Sequence, residues 1–417
     1  MNAFSRRNFI KFIGVTASLA AVPMPLRAQL TNRRVVVIGG GFGGGATAKF
    51  LRLWAPDLEV VLIEPNPNHV SCIMSNLLYV NQIQLQNLTI PYDGLRGHGV
   101  SVVQGRVTVV DTSAHEVRLG DGSTLGYDKL VMAPGIDFIY PAGMETPQAQ
   151  ASIPHAWKDV GNQAPMLKSQ LQAMPNGGVI VLTIPRPPYR CPPGPYERAC
   201  MVAAYIRQSK PRSKLIVLDA NPGIVAKTAT FTNAFTNTYA GIIDYRPNSP
   251  VLSVDAATRT VTTPGETVRA NVLNVIPDQK AGQIAFDAGL VNFAGRWAGV
   301  NVQTFQSTAA DDVFVVGDSH GSPIGKSGHF ANSEAKVAAA AIIAQLEGDS
   351  INPTPTLANA CFSAITTSSA SWVTSVLAYQ NGAMTNVPAS VGESPASGEN
   401  YEKMFGWSRN LWADSWG

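Results

Sequence analysis

Four cysteines, Cys72, Cys191, Cys200 and Cys361, are the residues of this 417-residue chain best suited to redox chemistry. A thiolate is a nucleophile, and a disulfide stores two electrons. Cys191 lies in the stretch YRCPPGPYERAC, Tyr189 to Cys200, just after Pro185, Pro187 and Pro188. Proline removes a backbone donor and fixes φ, so neither helix nor strand is expected around this thiol. A helix is expected from Glu197 to Gln208, and it would carry Cys200. Glu197 follows Cys191 closely enough to move protons; a solvated carboxylate without a role is the plainer reading. From the residues alone the partner of Cys191 stays open. Cys361 is 170 positions away, and nothing local suggests that pair. The six histidines, His69, His98, His115, His155, His320 and His329, show no metal-ligand spacing, so no metal centre is expected.

A second chemistry is written in glycine. Gly39, Gly41 and Gly44 fit Gly-x-Gly-x-x-Gly between an apolar strand, Val35 to Ile38, and a helix, Ala46 to Trp54. A further strand, Val60 to Ile63, ends in Glu64. Strand, tight turn, helix and strand in this order let the backbone approach a pyrophosphate at the helix N-terminus. The acid takes ribose hydroxyls. Much later, the strand Val313 to Val316 ends in Gly317-Asp318, and a helix is expected over Ala331 to Leu346. An Asp there can bond a ribityl chain, and a helix N-terminus can face the flavin pyrimidine edge, where charge gathers on reduction. The two motifs together favour FAD over NAD as the first ligand. The candidate cofactor-binding set is Gly39, Gly41, Gly44, Glu64, Cys72, Val107, Gly317, Asp318 and Gly328.

These residues need a scaffold. The predicted fold class is α/β: two Rossmann-like domains of the three-layer ββα type, plus a C-terminal interface domain. Residues 31–150 and 276–350 read as one discontinuous FAD-binding domain, interrupted near 100–130 by a small antiparallel meander with a Gly-Asp-Gly turn. Residues 151–275 read as a degenerate NAD-type domain. Its buried strand GGVIVLTIP and its neighbour SKLIVLDANP, ending in Asp219, have the rhythm, but the glycine turn between them is replaced by proline. Residues 351–417 form the flavin-facing interface domain. Within it Ala383 to Asn400 reads as a Pro/Gly/Ser linker before the tail YEKMFGWSRNLWADSWG. Its three tryptophans suit burial in the same chain, a partner subunit or a membrane interface.

Composition narrows the function. The chain is 45% hydrophobic and 14% charged, with formal net charge +3. Residues 1–28 hold Arg6, Arg7, Lys11 and Arg27 and no acid, so without those four cations the balance is −1. No nucleic-acid partner is implied. Ser-Arg-Arg-x-Phe-x-Lys followed by a short apolar run reads as a Tat-type export leader, which implies a periplasmic chain and an oxidising compartment. The absence of Cys-x-x-Cys-His implies no c-type haem in this chain.

Together the segments VVVIGGGFGGGATAKFLR, VVLIEPN, CIMSNLL, YDGLRGHGV, APGI, PHAWK, RCPPGPYERA, VGD and KSGHFANSEAKVAAAA give the chain a resemblance to the flavoprotein subunit of flavocytochrome c sulfide dehydrogenase. It runs collinearly from about Arg33 to Cys361, and the last 50 residues match loosely. The wider relatives are sulfide:quinone oxidoreductases and disulfide reductases. The resemblance implies FAD bonded covalently through Cys72 and a redox-active disulfide between Cys191 and Cys361. It also implies sulfide as substrate and a separate c-type cytochrome subunit as electron acceptor. Pairing of Cys191 with Cys200 is the rival, and packing of Cys200 as a small apolar side chain is the expectation. The rival functions are a membrane-surface sulfide:quinone oxidoreductase, an NAD(P)H-dependent disulfide reductase and a non-catalytic flavin electron carrier.

Overall fold

A computed structural model describes residues 30–417. The leader therefore lies outside the described residues. The apolar runs become strands buried on both faces, as parallel sheets require. Strands β1 (Arg34–Ile38), β2 (Glu59–Glu64), β3 (Ser101–Gln104) and β4 (Lys129–Met132) lie in one sheet. A fifth strand, Val313–Val315, reaches it from far downstream. The order is Val313–Val315, β4, β1, β2, β3, all parallel. Helix α1 (Phe42–Trp54) crosses from β1 to β2. Val107–Asp111, Glu116–Leu119 and Thr124–Gly126 form an antiparallel meander that starts later than expected, because Ser101–Gln104, read as part of it, pairs in parallel with β2 as the edge strand β3.

The second parallel sheet contains β5 (Val179–Ile184), β6 (Lys214–Asp219), β7 (Ile243–Arg246) and β8 (Val272–Val275), in the order β7, β6, β5, β8. Helix α2 (Gly194–Ser209) follows the proline loop after β5 and starts a turn earlier than expected. Pro193 stands at its N-cap and Pro195 in its first turn, where a missing N–H costs nothing.

The downstream strand Val313–Val315 is β9, and helix α3 (Gly328–Glu347) follows it. This helix also begins before its expected start at Ala331. Ser327 Oγ accepts from Phe330 N at 3.0 Å and caps it there, and Gly348 closes it with φ +75°.

The C-terminal region differs most from expectation. Strands β10 (Thr356–Thr366) and β11 (Ser369–Gln380) form a long antiparallel hairpin. Strand β12 (Ala383–Asn386) extends it where a linker was expected. Alternating polar and apolar residues pair well at a sheet edge even when the composition suggests a loop. Ser397 then caps helix α4 (Gly398–Trp416) by accepting from Asn400 N at 3.1 Å.

Of the α4 tryptophans, Trp416 is buried within the same chain, and Trp407 and Trp412 are partly buried. Trp416 is 1% exposed and its Nε1 donates to Gly40 O at 3.0 Å, inside the glycine turn after β1. Its ring stacks on His69 at 4.3 Å and meets Phe42 at 4.8 Å. Trp412 Nε1 donates to Ser71 Oγ at 3.0 Å. The last helix thus braces the turn that opens α1 and the segment leading to Cys72. Removing so large a buried ring leaves a cavity, so Trp416→Ala should cost about 3–5 kcal/mol in urea unfolding.

Candidate functional site

Cys191 is held by its backbone. Its φ is +55°, a left-handed conformation that costs a non-glycine residue about 1–3 kcal/mol. Two hydrogen bonds hold it there: Cys191 N donates to Lys326 O at 2.7 Å, and Cys191 O accepts from Gly194 N at 2.8 Å. Gly194 leaves room for the sulfur, since a Cβ there would stand 3.0 Å from Cys191 Sγ and 2.6 Å from the Trp157 ring. The proline loop therefore aims one thiol inward from the second sheet.

Two other thiols line a cavity with it. Cys361, in the middle of β10, opposes Val373 across the hairpin and donates to Asn359 Oδ1 at 3.5 Å. Cys72 follows the short strand Asn68–Val70, and its carbonyl accepts from Ser75 Oγ at 2.8 Å. Cys72, Cys191 and Cys361 line this one cavity, partly open to solvent, with Glu197, His329 and Trp407. All four cysteines are unbridged in this structure. Cys200 is fully buried on α2 among apolar neighbours and does not reach the cavity wall.

The cavity is ringed by buried polar groups. Glu197 Oε2 accepts from Asn76 Nδ2 at 2.9 Å, and Oε1 accepts from Ala364 N at 3.0 Å. Burial raises its carboxyl above the ordinary range, against these hydrogen bonds and against Lys227 and Arg198. Arg198 is 1% exposed and donates to Asn76 Oδ1, Asn274 Oδ1 and the carbonyls of His155 and Ala156. Burial pushes the Cys191 thiol well up, helped by Cys361, Glu197 and Cys72. Burial also raises Cys361, opposed by Lys227. Lys227, Arg198 and Asn76 were missed from the sequence. A lone lysine in GIVAKTAT and an arginine beside Glu197 gave no spacing signal.

The cofactor candidates gather at the carboxyl edge of the first sheet. Gly39 has φ +97°, and a Cβ on Gly44 would collide with Gly39 O. Beside Gly41 a Cβ would meet nothing within 4 Å. No side chain caps α1, so its first N–H groups are free for an anion. Glu64 accepts from Gly40 N at 2.8 Å and from Asn66 N at 3.0 Å. Val107 is buried close by, as Gly105 N donates to Glu64 O. Gly317 has φ +74°, and its N–H donates to Glu334 Oε2 at 2.7 Å. Gly328 opens α3 on the cavity wall.

Asp318 Oδ1 is buried without a partner, and burial raises its carboxyl. An orphaned acceptor is costly unless a ligand hydroxyl answers it. That atom, the free end of α1 and the open side of Gly41 fit a bound FAD.

Three family models match: "Pyridine nucleotide-disulphide oxidoreductase" over 33–166, "Sulfide dehydrogenase [flavocytochrome c] flavoprotein chain, central" over 164–277, and "Flavocytochrome c sulphide dehydrogenase, flavin-binding" over 353–416. The sulfide dehydrogenase [flavocytochrome c] flavoprotein chain of Chlorobaculum thiosulfatiphilum is 54% identical over 45 residues, 94% of that sequence and 11% of this one. The chain belongs to the flavocytochrome c sulfide dehydrogenase flavoprotein family. Mouse mitochondrial sulfide:quinone oxidoreductase is 23% identical over 316 residues, 70% of this chain and 66% of the relative. The fold matches the X-ray structure of sulfide:quinone oxidoreductase from Aquifex aeolicus with TM-score 0.77 at 19% identity, covering 92% of this chain and 91% of that one. By family this chain is an FAD-binding flavoprotein oxidoreductase.

Two outcomes follow from the site. Gly44→Ala should yield protein that purifies without flavin absorbance, because the added methyl drives the turn apart. Burial lowers the Lys326 ammonium, which donates to Asp318 O and His320 O, from 10.5 to about 8. A depressed folded value means that its stability contribution is full above about pH 10.5 and is lost as pH falls to about 8. The urea-midpoint difference between wild type and Lys326→Met should therefore shift towards wild type between about pH 8 and pH 10.

Proposed function

We propose that this flavoprotein oxidises sulfide to zero-valent sulfur or polysulfide through a Cys191–Cys361 disulfide and passes the electrons to a separate c-type cytochrome subunit in the periplasm. The observation that carries this reading is the convergence of Cys72, Cys191 and Cys361 with buried Glu197 on one cavity, although the three thiols come from three separate regions of the chain. In this reading the turn at Gly39, Gly41 and Gly44 holds the pyrophosphate, Glu64 the ribose, and Asp318 the ribityl chain. Val107 lines the adenine end. The N-terminus of α3 at Gly328 would face a bound flavin, and Cys72 would be its covalent tether.

Hydrosulfide attacks one sulfur of the disulfide. A new sulfur–sulfur bond forms, leaving a persulfide on that cysteine. The bond between the cysteines breaks, and the second sulfur departs as a thiolate carrying the electron pair. Glu197, in the cavity wall, is the carboxylate placed to take the hydrosulfide proton. FAD, when bound, supplies a two-electron acceptor that can release electrons singly, as a cytochrome requires.

Two alternatives meet specific obstacles. An NAD(P)H reductase needs a nucleotide at the second sheet. There Asp219 is fully buried, and its Oδ2 accepts from Tyr196 and Tyr245 at 2.8 Å each, while Oδ1 accepts from Asn221. The acid at the end of β6 is occupied by protein. A membrane-surface quinone reductase anchored by the tryptophan tail would need those rings exposed, and α4 buries Trp416, half-buries Trp412 with its Nε1 on Ser71, and half-buries Trp407 against the cavity. Among the described residues no helix is long and apolar enough to cross a membrane.

Sulfide should bleach the flavin of the wild-type protein in stopped flow, and NADH should not. Cys191→Ser should slow bleaching by at least about a hundredfold, the scale of losing a covalent nucleophilic route. Wild-type bleaching rates in that variant would remove the disulfide from the mechanism.

A further inference from the structure

Lys227 ends in the protein interior beside the dithiol. The residue is 4% exposed and takes a left-handed conformation, φ +51°, at the start of the short helix Thr228–Asn233. Its Nζ donates to Cys361 O at 3.1 Å, Ser363 Oγ at 3.2 Å and Ser371 O at 2.8 Å. These three acceptors use the three N–H bonds of an ammonium and span both strands of the β10–β11 hairpin. All three are neutral oxygens. A buried cation bonded only to neutral groups is expensive unless negative charge stands or develops nearby.

The groups around it supply that charge. Cys361 is the largest electrostatic partner, then Glu197 on α2, Cys191 on the proline loop and Glu393 beyond β12. Cys361 itself faces Lys227, the polar groups of Asn359 and Ser327, and Glu197. Cys191 faces Cys361, Glu197 and Cys72, with Arg190 as the opposing charge. The two sulfurs of one pair therefore sit in unequal fields.

We propose that Lys227 is a positioning residue that pins the Cys361 strand and supplies the positive charge against which the Cys361 sulfur ionises when the disulfide opens. Opening is a two-electron event: the bond between the sulfurs breaks, the incoming nucleophile or reductant supplies the pair, and a thiolate is left. Lys227 stabilises that thiolate at Cys361, so this thiol ionises at lower pH than Cys191. The inference rests on the proposed disulfide chemistry, but its test reads the reduced thiols directly.

The flavin-loaded protein is reduced with a phosphine and alkylated with iodoacetamide across about pH 6 to 10, and each cysteine is followed by peptide mass spectrometry. In wild type, Cys361 should become reactive at lower pH than Cys191. Lys227→Gln keeps N–H donors for the hairpin and removes the charge. It should slow Cys361 alkylation at pH 7 roughly tenfold, equivalent to about one pH unit, and Lys227→Arg should restore it. An unchanged Cys361 profile in Lys227→Gln would overturn the proposal. So would a wild-type protein in which Cys191 ionises first, a comparison that needs no variant to fold. Failure of the disulfide reading shows separately, as free Cys191 and Cys361 thiols before reduction together with no bleaching by sulfide.

Discussion

A carboxyl group taken out of water must find donors, and Glu197 finds them on two different parts of the protein. One oxygen accepts from Asn76, in the segment just beyond Cys72, and the other from the backbone of Ala364 on β10. Glu197 itself stands on α2, one turn past the proline loop. A single buried side chain thus ties the segment beyond Cys72, the second sheet's helix and the C-terminal hairpin beside the cavity that three thiols line. Truncating it would leave two donors unsatisfied as well as a void.

Neighbouring cations extend the same logic. Arg198 shares Asn76 with Glu197, donates to Asn274 on β8 and lies over the Trp157 ring at 5.0 Å. Lys227 crosses beneath the hairpin. At the opposite side of the flavin segment, His320 Nε2 lies 3.1 Å from Glu334 Oε1, and Glu334 also accepts from Gly317 N. Glu334 thus takes both His320 Nε2 and Gly317 N, while His320 Nδ1 is buried without a partner. Asp318 Oδ1 is likewise buried without a partner, so protein does not complete the network there. Buried networks of this kind specify one arrangement strongly, because a partly satisfied one is costly.

The second sheet has Rossmann-like strand order and parallel register with its carboxyl edge engaged by protein. Prolines replace the turn glycines, and Tyr196 and Tyr245 occupy the carboxylate of Asp219. The proline loop places Cys191 in the wall of the cavity that Cys72 and Cys361 also line.

Much of this was legible along the chain. Valine runs buried on two faces, glycines at fixed offsets before a helix and an acid at a strand tip report local rules that act within about 30 residues, so the central strands of the first sheet were readable, while its edge strand Ser101–Gln104, half exposed and alternating, read as part of the meander. The Pro/Gly/Ser composition after Ala383 misled, because edge pairing with β11 and a serine cap outweighed local preference there. The same sequence left open which thiols meet, since 170 intervening residues carry no periodic record of the approach of Cys361 to Cys191. It was also silent on Lys227, Asn76 and Arg198. Their importance is a matter of desolvation and of which oxygen lies within about 3 Å. Those quantities exist only once separate segments have excluded water together.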